Sequence, residues 1–327
     1  MRTRRLGQTD LYLSVIGIGT WVMGGAAWEY GWGVQEEKDS IGTIHEALDR
    51  GINWIDTASI YGLGRSEELV GKAVKQWNKP VIIASKCGLL RDKNGSLYGC
   101  LKRESIMREA EASLRRLQRD VIDLYQIHWP DPSAEIEEGF GTLLELVRQG
   151  KIRWAGVSNF SIKQMEKIAC LGPIASLQPS YNLINRRIEK DVLPWCKKNN
   201  VGVISYSPLQ CGILTEKFSR EWIMNLPDDD WRKTKAPFLQ EPQLSFHLEL
   251  VQVLKKFAAT RGHTVSQLAV SWILHQNHVT SVIVGARKRA QIQETALAAE
   301  WVLKKEEIQE LESLLFSWIK NNKCDRI

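Results

Sequence analysis

The chain has 327 residues, of which 43% are hydrophobic and 25% charged, and its net charge is +6. This composition is typical of a globular protein whose core needs neither disulfides nor a structural metal, and the scattered basic residues indicate no nucleic-acid or membrane partner. The six cysteines form no close pair and no C-x-x-C motif. This spacing argues against a disulfide framework or a zinc site and favours a reducing compartment.

The first residues, MRTRRLGQTD, are basic, and polar residues 7–10 then interrupt the apolar stretch. No small-residue cleavage site follows a continuous apolar run, so we expect no signal peptide. No segment approaches the roughly 18 uninterrupted apolar residues of a transmembrane helix. These patterns predict a cytoplasmic protein.

Short apolar runs alternate with segments of helical periodicity along the chain. The predicted strands are SVIGIGT, NWIDTA, PVIIASK, DVIDLYQIH, IRWAGVSN, SLQPSYN, VGVISYSP and TSVIVGA. The helices predicted after them span residues 38–50, 66–77, 103–117, 134–149, 161–170, 186–199, 244–260 and 288–298. Ser66 with Glu68, and Ser161 with Gln164, are predicted to cap two of these helices.

Nearly continuous hydrophobic strands that alternate with amphipathic helices predict an α/β fold with a parallel sheet covered on both faces. Eight such units in one series favour a closed (β/α)8 TIM barrel over an open doubly wound sheet. The stretch TRRLGQTDLYLS predicts a β-hairpin that caps the bottom, and residues 265–275 and 304–320 predict additional helices. Because no composition break or linker divides the chain, residues 1–327 are predicted to form one domain.

The predicted strand ends carry the chemistry, since barrel active sites lie at the carboxyl ends of the strands. Asp56, Lys86 and His128 end three successive strands, and Tyr61 follows Asp56 by five residues. We expect Lys86 to lower the pKa of Tyr61 and Asp56 to keep the lysine charged. With a neutral His128 donating to a substrate oxygen, the group predicts a site that protonates a carbonyl oxygen as a hydride reaches the carbon.

Taken singly, these residues are more typical of a structural ion pair and a core histidine, and only their joint placement favours catalysis. The glycines of GIGTWV do not predict a dinucleotide-binding Rossmann site, because Val22 stands at the third glycine position and no helix is predicted to open there. Four tryptophans follow the first and fourth strands and are predicted to line a substrate pocket: Trp21, Trp28, Trp32 and Trp129.

Eight stretches of the sequence resemble, in order, motifs of the aldo-keto reductase superfamily, and in particular its bacterial branches with a long loop after the seventh strand. They are GIGTW, NWIDTASIYGLGRSEELVGKAV, IASK, DLYQIHWPD, GKIRWAGVSNF, LQPSYNLINR, SYSPLQCGILTEKF and VIVGARKRAQIQET. The resemblance implies a (β/α)8 barrel, a small carbonyl or alcohol substrate and NADPH as the usual cofactor. It also implies a catalytic tetrad of Asp56, Tyr61, Lys86 and His128.

The same resemblance implies three groups of cofactor contacts. The group at the nicotinamide comprises Gly19, Thr20, Trp21, Asp56, Ser158, Asn159, Gln178 and Tyr206. The group on the loop that covers the pyrophosphate comprises Ser207, Pro208, Leu209, Gly212 and Leu214. The group at the adenosine end comprises Gly285, Ala286, Arg287, Gln291 and Glu294.

The chain departs from this family pattern near the adenosine end. Many members carry Lys or Arg at the positions of Gly285 and Gln291, which leaves Arg287 as the favoured ligand of a 2′-phosphate, with Lys288 and Arg289 beside it. Because arginine binds phosphate through two donors, NADPH is the expected cofactor and NADH a weaker alternative. Glu216 replaces a commonly seen glycine on the pyrophosphate loop.

Three functions are compatible with these patterns. The first is an NADPH-dependent reductase of aldehydes and ketones, working reversibly. The second is a non-catalytic, nucleotide-sensing subunit that resembles the β subunits of potassium channels. The third is a lyase that forms a Schiff base at Lys86, although Asp56 argues against it by keeping the amine protonated. The sequences of the loops that shape the pocket do not identify the substrate. A homo-oligomer is possible, but no sequence feature indicates one.

Overall fold

Eight parallel strands close into a barrel in the computed structural model of the protein, which describes residues 1–25, 30–130, 136–228 and 230–321. The strands are β1 (Thr3–Arg5), β2 (Tyr12–Ser14), β3 (Ile16–Gly19), β4 (Trp54–Asp56), β5 (Ile82–Cys87), β6 (Leu89–Arg91), β7 (Leu97–Gly99), β8 (Ile122–Ile127), β9 (Ile152–Ser158), β10 (Ser176–Gln178), β11 (Gly202–Ser205) and β12 (Ser281–Gly285). The barrel order is β3-β4-β5-β8-β9-β10-β11-β12, and β12 pairs back onto β3. The predicted (β/α)8 barrel is confirmed.

Helices follow the barrel strands as the periodicity predicts. They are α1 (Glu37–Asp49), α2 (Arg65–Lys75), α3 (Arg103–Leu117), α4 (Ile136–Arg148), α5 (Ile162–Ala169), α6 (Val192–Lys198), α7 (Arg220–Met224), α8 (Trp231–Thr234), α9 (Gln243–Ala259), α10 (Val265–His275), α11 (Arg289–Ala296) and α12 (Lys305–Asn321). Among the described residues, no helix combines the length and the apolar composition needed to cross a membrane.

Two local predictions are wrong. Ser66 does not cap α2, because the helix starts one residue earlier and the Ser66 hydroxyl contacts Thr20 and Thr57 instead. Helix α6 starts six residues later than predicted, where the Asp191 side chain accepts a hydrogen bond from the backbone N–H of Val192. The capping box at Ser161 is present as predicted.

The bottom of the barrel is closed by the hairpin of β1 and β2. Leu6, Leu11 and Leu13 are buried against Trp54 in one apolar cluster. The Trp54 indole N–H donates to the Ser14 carbonyl at 3.1 Å, so the ring is fixed in this plug. The hairpin thereby seals the end opposite the mouth, as the sequence predicts.

Two insertions at the carboxyl ends of the strands surround the mouth. The antiparallel pair β6 and β7 follows barrel strand β5 and was not predicted, although Asn94-Gly95 between the two strands is a typical turn signal. Helices α7 and α8 lie within the loop after β11, which the sequence indicated only as a long loop. Leu89 and Leu97 of the first insertion line the cavity at the mouth, and Trp231 of α8 packs against the cavity residues Trp21 and Tyr30.

Candidate active site

A cavity of about 650 Å³ opens at the carboxyl ends of the barrel strands. The parallel register sets Gly19 beside Asp56, and Asp56 beside Ala84, so that Lys86 lies two residues further along the next strand. Gln178 and Ser158 are likewise register partners. Side chains that are far apart in sequence therefore meet at one opening.

Lys86 is at the centre of the buried polar cluster below this cavity. Its ammonium nitrogen lies 2.6 Å from Asp56 Oδ1, 3.0 Å from the Thr57 carbonyl oxygen and 3.3 Å from the Tyr61 hydroxyl. Burial lowers the pKa of Lys86, while the charge of Asp56 and its hydrogen bond raise it. Three acceptors match the three N–H donors of an ammonium group, and this arrangement supports the protonated form.

Tyr61 is buried beside this pair, and the direction of its pKa differs from the sequence-based expectation. Burial and the negative charge of Asp56 raise the pKa of Tyr61 well above its usual value. The expectation that Lys86 lowers it was wrong, because Asp56 offsets the lysine charge and the apolar surroundings disfavour a phenolate. Tyr61 therefore holds its proton near neutral pH, as a proton donor must.

His128 lies on the cavity wall next to Tyr61, with the two ring centroids 5.6 Å apart at an angle of 77°. Burial and the nearby charge of Lys86 lower the pKa of His128 well below its usual range. A neutral imidazole has one N–H donor and one acceptor nitrogen. It can thus donate one hydrogen bond without bringing a second positive charge next to Lys86.

Polar side chains on the far wall are bonded to one another. The Gln178 amide donates to Asp56 Oδ2 at 2.9 Å, and the Ser158 hydroxyl donates to the Gln178 carbonyl at 2.9 Å. Asn159 has a φ of 63°, donates to the His128 carbonyl and accepts from the Tyr206 hydroxyl at 2.9 Å. The left-handed backbone, which asparagine tolerates, turns this amide across the strand ends.

Most of the residues predicted for catalysis, cofactor and substrate lie on the cavity wall: Gly19, Trp21, Trp32, Asp56, Tyr61, His128, Trp129, Ser158, Asn159, Gln178, Tyr206, Ser207, Pro208, Leu209, Gly212, Gly285, Ala286, Arg287 and Gln291. Four others that the sequence predicted are not on it: Thr20, Lys86, Leu214 and Glu294. Trp28 lies outside the described residues.

The residues away from the wall have partners in the protein. The Thr20 hydroxyl donates to the Asp56 carbonyl at 3.0 Å, and Glu294 accepts from the Thr264 hydroxyl at 2.8 Å. Glu216 accepts from the backbone N–H of Val265, the first residue of α10, at 2.9 Å. This contact anchors the loop after β11 to a helix N-terminus and gives the unexpected glutamate a structural reason.

Arg287 is extensively bonded to the loop after β3. Its guanidinium donates to the carbonyls of Trp32 and Val34, the latter at 2.6 Å, and to the Gln35 side chain at 2.9 Å. These contacts use three of its five N–H donors. Arg287 therefore fastens a segment of the cavity wall and keeps two donors for another acceptor.

Some cavity residues had no sequence prediction. The cavity wall also includes Tyr30, Ile60, Leu89 and Leu97. For Leu89 and Leu97, the only sequence signal is the alternation of apolar and polar residues on either side of the Asn-Gly turn. The Arg232 guanidinium lies 3.8 Å from the Trp32 ring centroid. No sequence motif links these two residues, because they come from loops 200 positions apart. Within the described ranges, no group of His, Cys, Asp or Glu is arranged to hold a metal ion.

Comparison with known sequences identifies the family. The family model described as "Aldo/keto reductase family" matches residues 15–315. The chain is 42% identical over 324 residues to the aldo-keto reductase YhdN of Bacillus subtilis (strain 168), covering 98% of this chain and 96% of that protein. It is 35% identical over 312 residues to the NADH-specific methylglyoxal reductase of Escherichia coli (strain K12), covering 91% and 93%.

Solved structures give the same assignment. The glycerol dehydrogenase AKR11B4 from Gluconobacter oxydans superimposes with a TM-score of 0.87 at 39% identity, covering 97% of this chain and 96% of that one. An aldo-keto reductase from Klebsiella pneumoniae in complex with NADPH gives a TM-score of 0.73 at 29% identity, covering 96% and 95%. The chain belongs to the aldo/keto reductase family of oxidoreductases.

Proposed function

We propose that the protein reduces small aldehydes and ketones to alcohols, reversibly, with a nicotinamide dinucleotide as the hydride donor. The observation that carries this proposal is the contact of Lys86 Nζ with both Asp56 Oδ1, at 2.6 Å, and the Tyr61 hydroxyl, at 3.3 Å, beneath an apolar cavity that His128 also lines. This arrangement supplies a proton donor and a neutral hydrogen-bond donor at one point. Both are what a carbonyl oxygen needs as it gains negative charge.

The proposed mechanism gives each of the four residues one task. When bound, the dinucleotide supplies the hydride for the carbonyl carbon. Tyr61 transfers its hydroxyl proton to the substrate oxygen, and Lys86 stabilises the phenolate that forms. His128 donates a hydrogen bond that orients the carbonyl, and Asp56 holds Lys86 in place. In the reverse direction, the Tyr61 phenolate oxygen accepts the hydroxyl proton of an alcohol substrate.

The residues opposite the four catalytic candidates suit the cofactor. Ser158, Asn159 and Gln178 present hydroxyl and amide groups, which match the one acceptor and two donors of a carboxamide, and the ring of Tyr206 offers a stacking surface. Gly19 and Gly285 are register partners without side chains on the cavity wall.

We propose NADPH as the preferred cofactor and NADH as the alternative. Arg287 keeps two donors for a 2′-phosphate, with Lys288 and Arg289 next to it in sequence. One relative is described as holding NADPH and another as NADH-specific, so members of this family differ in this choice. The basic residues at the adenosine end favour the phosphorylated dinucleotide in this chain.

The substrate proposed is a small carbonyl compound or the corresponding alcohol. Trp21, Tyr30, Trp32 and Trp129 contribute four large aromatic side chains to the cavity wall. Relatives are described as a glycerol dehydrogenase and a methylglyoxal reductase, and both names indicate small oxygenated substrates. We further propose that the protein acts in the cytoplasm as a single domain over residues 1–327, with no nucleic-acid or membrane partner.

The test is cofactor oxidation, measured as the absorbance decay of NADPH or NADH with a panel of small aldehydes and ketones. We expect turnover by the wild type and a loss of about 100-fold or more in kcat for Tyr61→Phe, because the variant lacks the proton donor. Tyr12→Phe, at an exposed tyrosine on the bottom hairpin, is the control and should match the wild type. Tight NADPH binding without turnover would contradict the proposal and favour a nucleotide sensor.

A further inference from the structure

Glu109, on helix α3, is a buried carboxylate that the proposed mechanism does not use. It is 8% exposed, and no ion pair within the described part of the chain includes it. Its Oε2 accepts from the backbone N–H of Gly88 at 3.1 Å and from the Ser59 hydroxyl at 3.4 Å, and its Oε1 accepts from the Ser105 hydroxyl at 3.3 Å. Burying a carboxylate without a cation is costly, so a contribution to stability does not explain this side chain.

The donors to Glu109 flank two of the catalytic candidates. Ser59 precedes Tyr61 by two residues, and Gly88 follows Lys86 by two residues. The single proton of the Ser59 hydroxyl is shared between Glu109 and the Lys86 carbonyl oxygen, which lies 3.1 Å away, and the Ser59 backbone N–H donates to the same carbonyl at 3.4 Å. Glu109 thus lies where the segment leading to Tyr61 meets the end of the strand that carries Lys86.

We propose that Glu109 is a positioning residue: its ionised carboxylate holds the Tyr61 segment against the end of the Lys86 strand, and its protonation loosens that hold. This inference rests on the proposed carbonyl reduction. An ionised carboxylate accepts hydrogen bonds at both oxygens, whereas the protonated acid turns one oxygen into a donor. Protonation therefore weakens the hydrogen bonds to Gly88 and Ser59, because an ionised acceptor binds a donor more strongly than a neutral one does.

The surroundings of Glu109 shift the protonation of its carboxylate into the neutral pH range. Burial raises the pKa of Glu109 to about 7, against the opposing effect of its three donors. Glu67 of α2 raises this pKa further, although Arg116 of α3 lies 2.7 Å from that carboxylate and is paired with it. From the barrel, Cys87 of β5 and Tyr125 of β8 interact electrostatically with Glu109.

The two barrel groups are neutral at this pH. Burial and the charge of Glu109 raise the pKa of both Cys87 and Tyr125 well above their usual values. The ammonium of Lys86 points to Asp56 rather than to Glu109. Glu109 is therefore the carboxyl group whose pKa burial brings to about 7.

The experiment compares pH profiles of the hydride-transfer step, measured in single turnovers by the decay of NADPH fluorescence. We expect the wild-type rate to fall as the pH drops through about 7. In Glu109→Gln this acid limb should disappear and the rate at pH 8 should be about tenfold lower, because small displacements of reacting groups cost this much. Glu111→Gln is the matched control on the same helix, since Glu111 is partly exposed and paired with Lys151.

Two further measurements separate the possible outcomes. Ser59→Ala removes one donor to the carboxylate and should move the acid limb to higher pH; it decides the question if Glu109→Gln does not fold. An unchanged acid limb in Glu109→Gln, or in Ser59→Ala where the first variant is unfolded, would overturn the inference. A wild type with no turnover on any carbonyl compound would instead defeat the proposed function, and Tyr61→Phe with a wild-type rate would do the same.

Discussion

Gln178 and Asp56 are joined across the mouth of the barrel by a hydrogen bond of 2.9 Å. Their strands, β10 and β4, are four positions apart in either direction around the eight-stranded barrel, so they face each other. Both side chains are buried. The residue proposed to hold the nicotinamide carboxamide is thus bonded directly to the carboxylate that holds Lys86.

Gln178→Glu should reduce kcat and weaken cofactor binding more than Gln178→Ala does. The alanine variant removes a donor from a buried carboxylate, a loss of about 1–3 kcal/mol, whereas the glutamate adds a like charge beside Asp56. Steady-state kinetics and cofactor titration measure both effects. Gln76→Glu, at an exposed position, should behave as the wild type, and equal effects of the two Gln178 variants would contradict this explanation.

His128 should still be neutral below about pH 6.5, where an ordinary imidazole becomes protonated, because burial and Lys86 lower its pKa well below the usual range. NMR of a ring-labelled sample would detect this directly as the absence of an imidazolium signal. In the unfolded chain the same ring protonates below about pH 6.5. Below that pH the unfolded state therefore binds more protons, and His128 makes the free energy of unfolding fall as the pH falls.

The size of that contribution has an upper limit. One proton difference between the unfolded and folded states changes the free energy of unfolding by about 1.4 kcal/mol per pH unit. Urea unfolding of His128→Gln between pH 5 and 7 should show a correspondingly shallower decline than the wild type. Identical slopes in the two proteins would mean that the folded ring protonates normally.

Arg287→Ala should weaken the binding of both cofactors and affect NADPH more than NADH. The shared loss comes from releasing the loop that carries Trp32, and the additional loss comes from a contact with the 2′-phosphate. Hydrogen bonds to a charged group contribute about 1.5–3 kcal/mol, so we expect an NADPH-specific loss of about tenfold or more. Gln35→Ala, which loses the two hydrogen bonds between the Gln35 side chain and Arg287, at 2.9 and 3.0 Å, is the control and should affect both cofactors equally.

Gly17→Ala should strongly destabilise the barrel. A Cβ atom on Gly17 would lie 2.1 Å from the Trp54 ring, which is buried in the bottom plug and hydrogen-bonded to Ser14 and Ser281. Such overpacking costs about 3 kcal/mol, which thermal or urea unfolding would measure. Gly141→Ala is the matched control, because no atom lies near its Cβ position in helix α4, and it should leave stability unchanged or raise it slightly.

The sequence was sufficient where local pattern determines structure. The eight apolar runs all form barrel strands, and α3 and α10 have the predicted bounds, because hydrophobic periodicity and flanking polar residues mark such elements directly. The order of strand ends along the chain also brought Asp56, Lys86 and His128 to one mouth, since parallel strands place their carboxyl ends together.

Only the tertiary structure decided the properties that depend on burial and on contacts between distant loops. The pKa of Tyr61 is raised because the ring is buried and because the charge of Asp56 lies near it. Neither the burial nor this proximity can be predicted from the spacing of residues in the sequence. The contacts of Arg287 with the loop after β3 and of Glu109 with Ser59 and Gly88 join segments separated by tens to hundreds of residues. The sequence by itself determined the barrel and the set of reactive side chains, because both follow from local periodicity. Which groups are neutral, which are anchored and which remain available to a ligand was settled by packing alone.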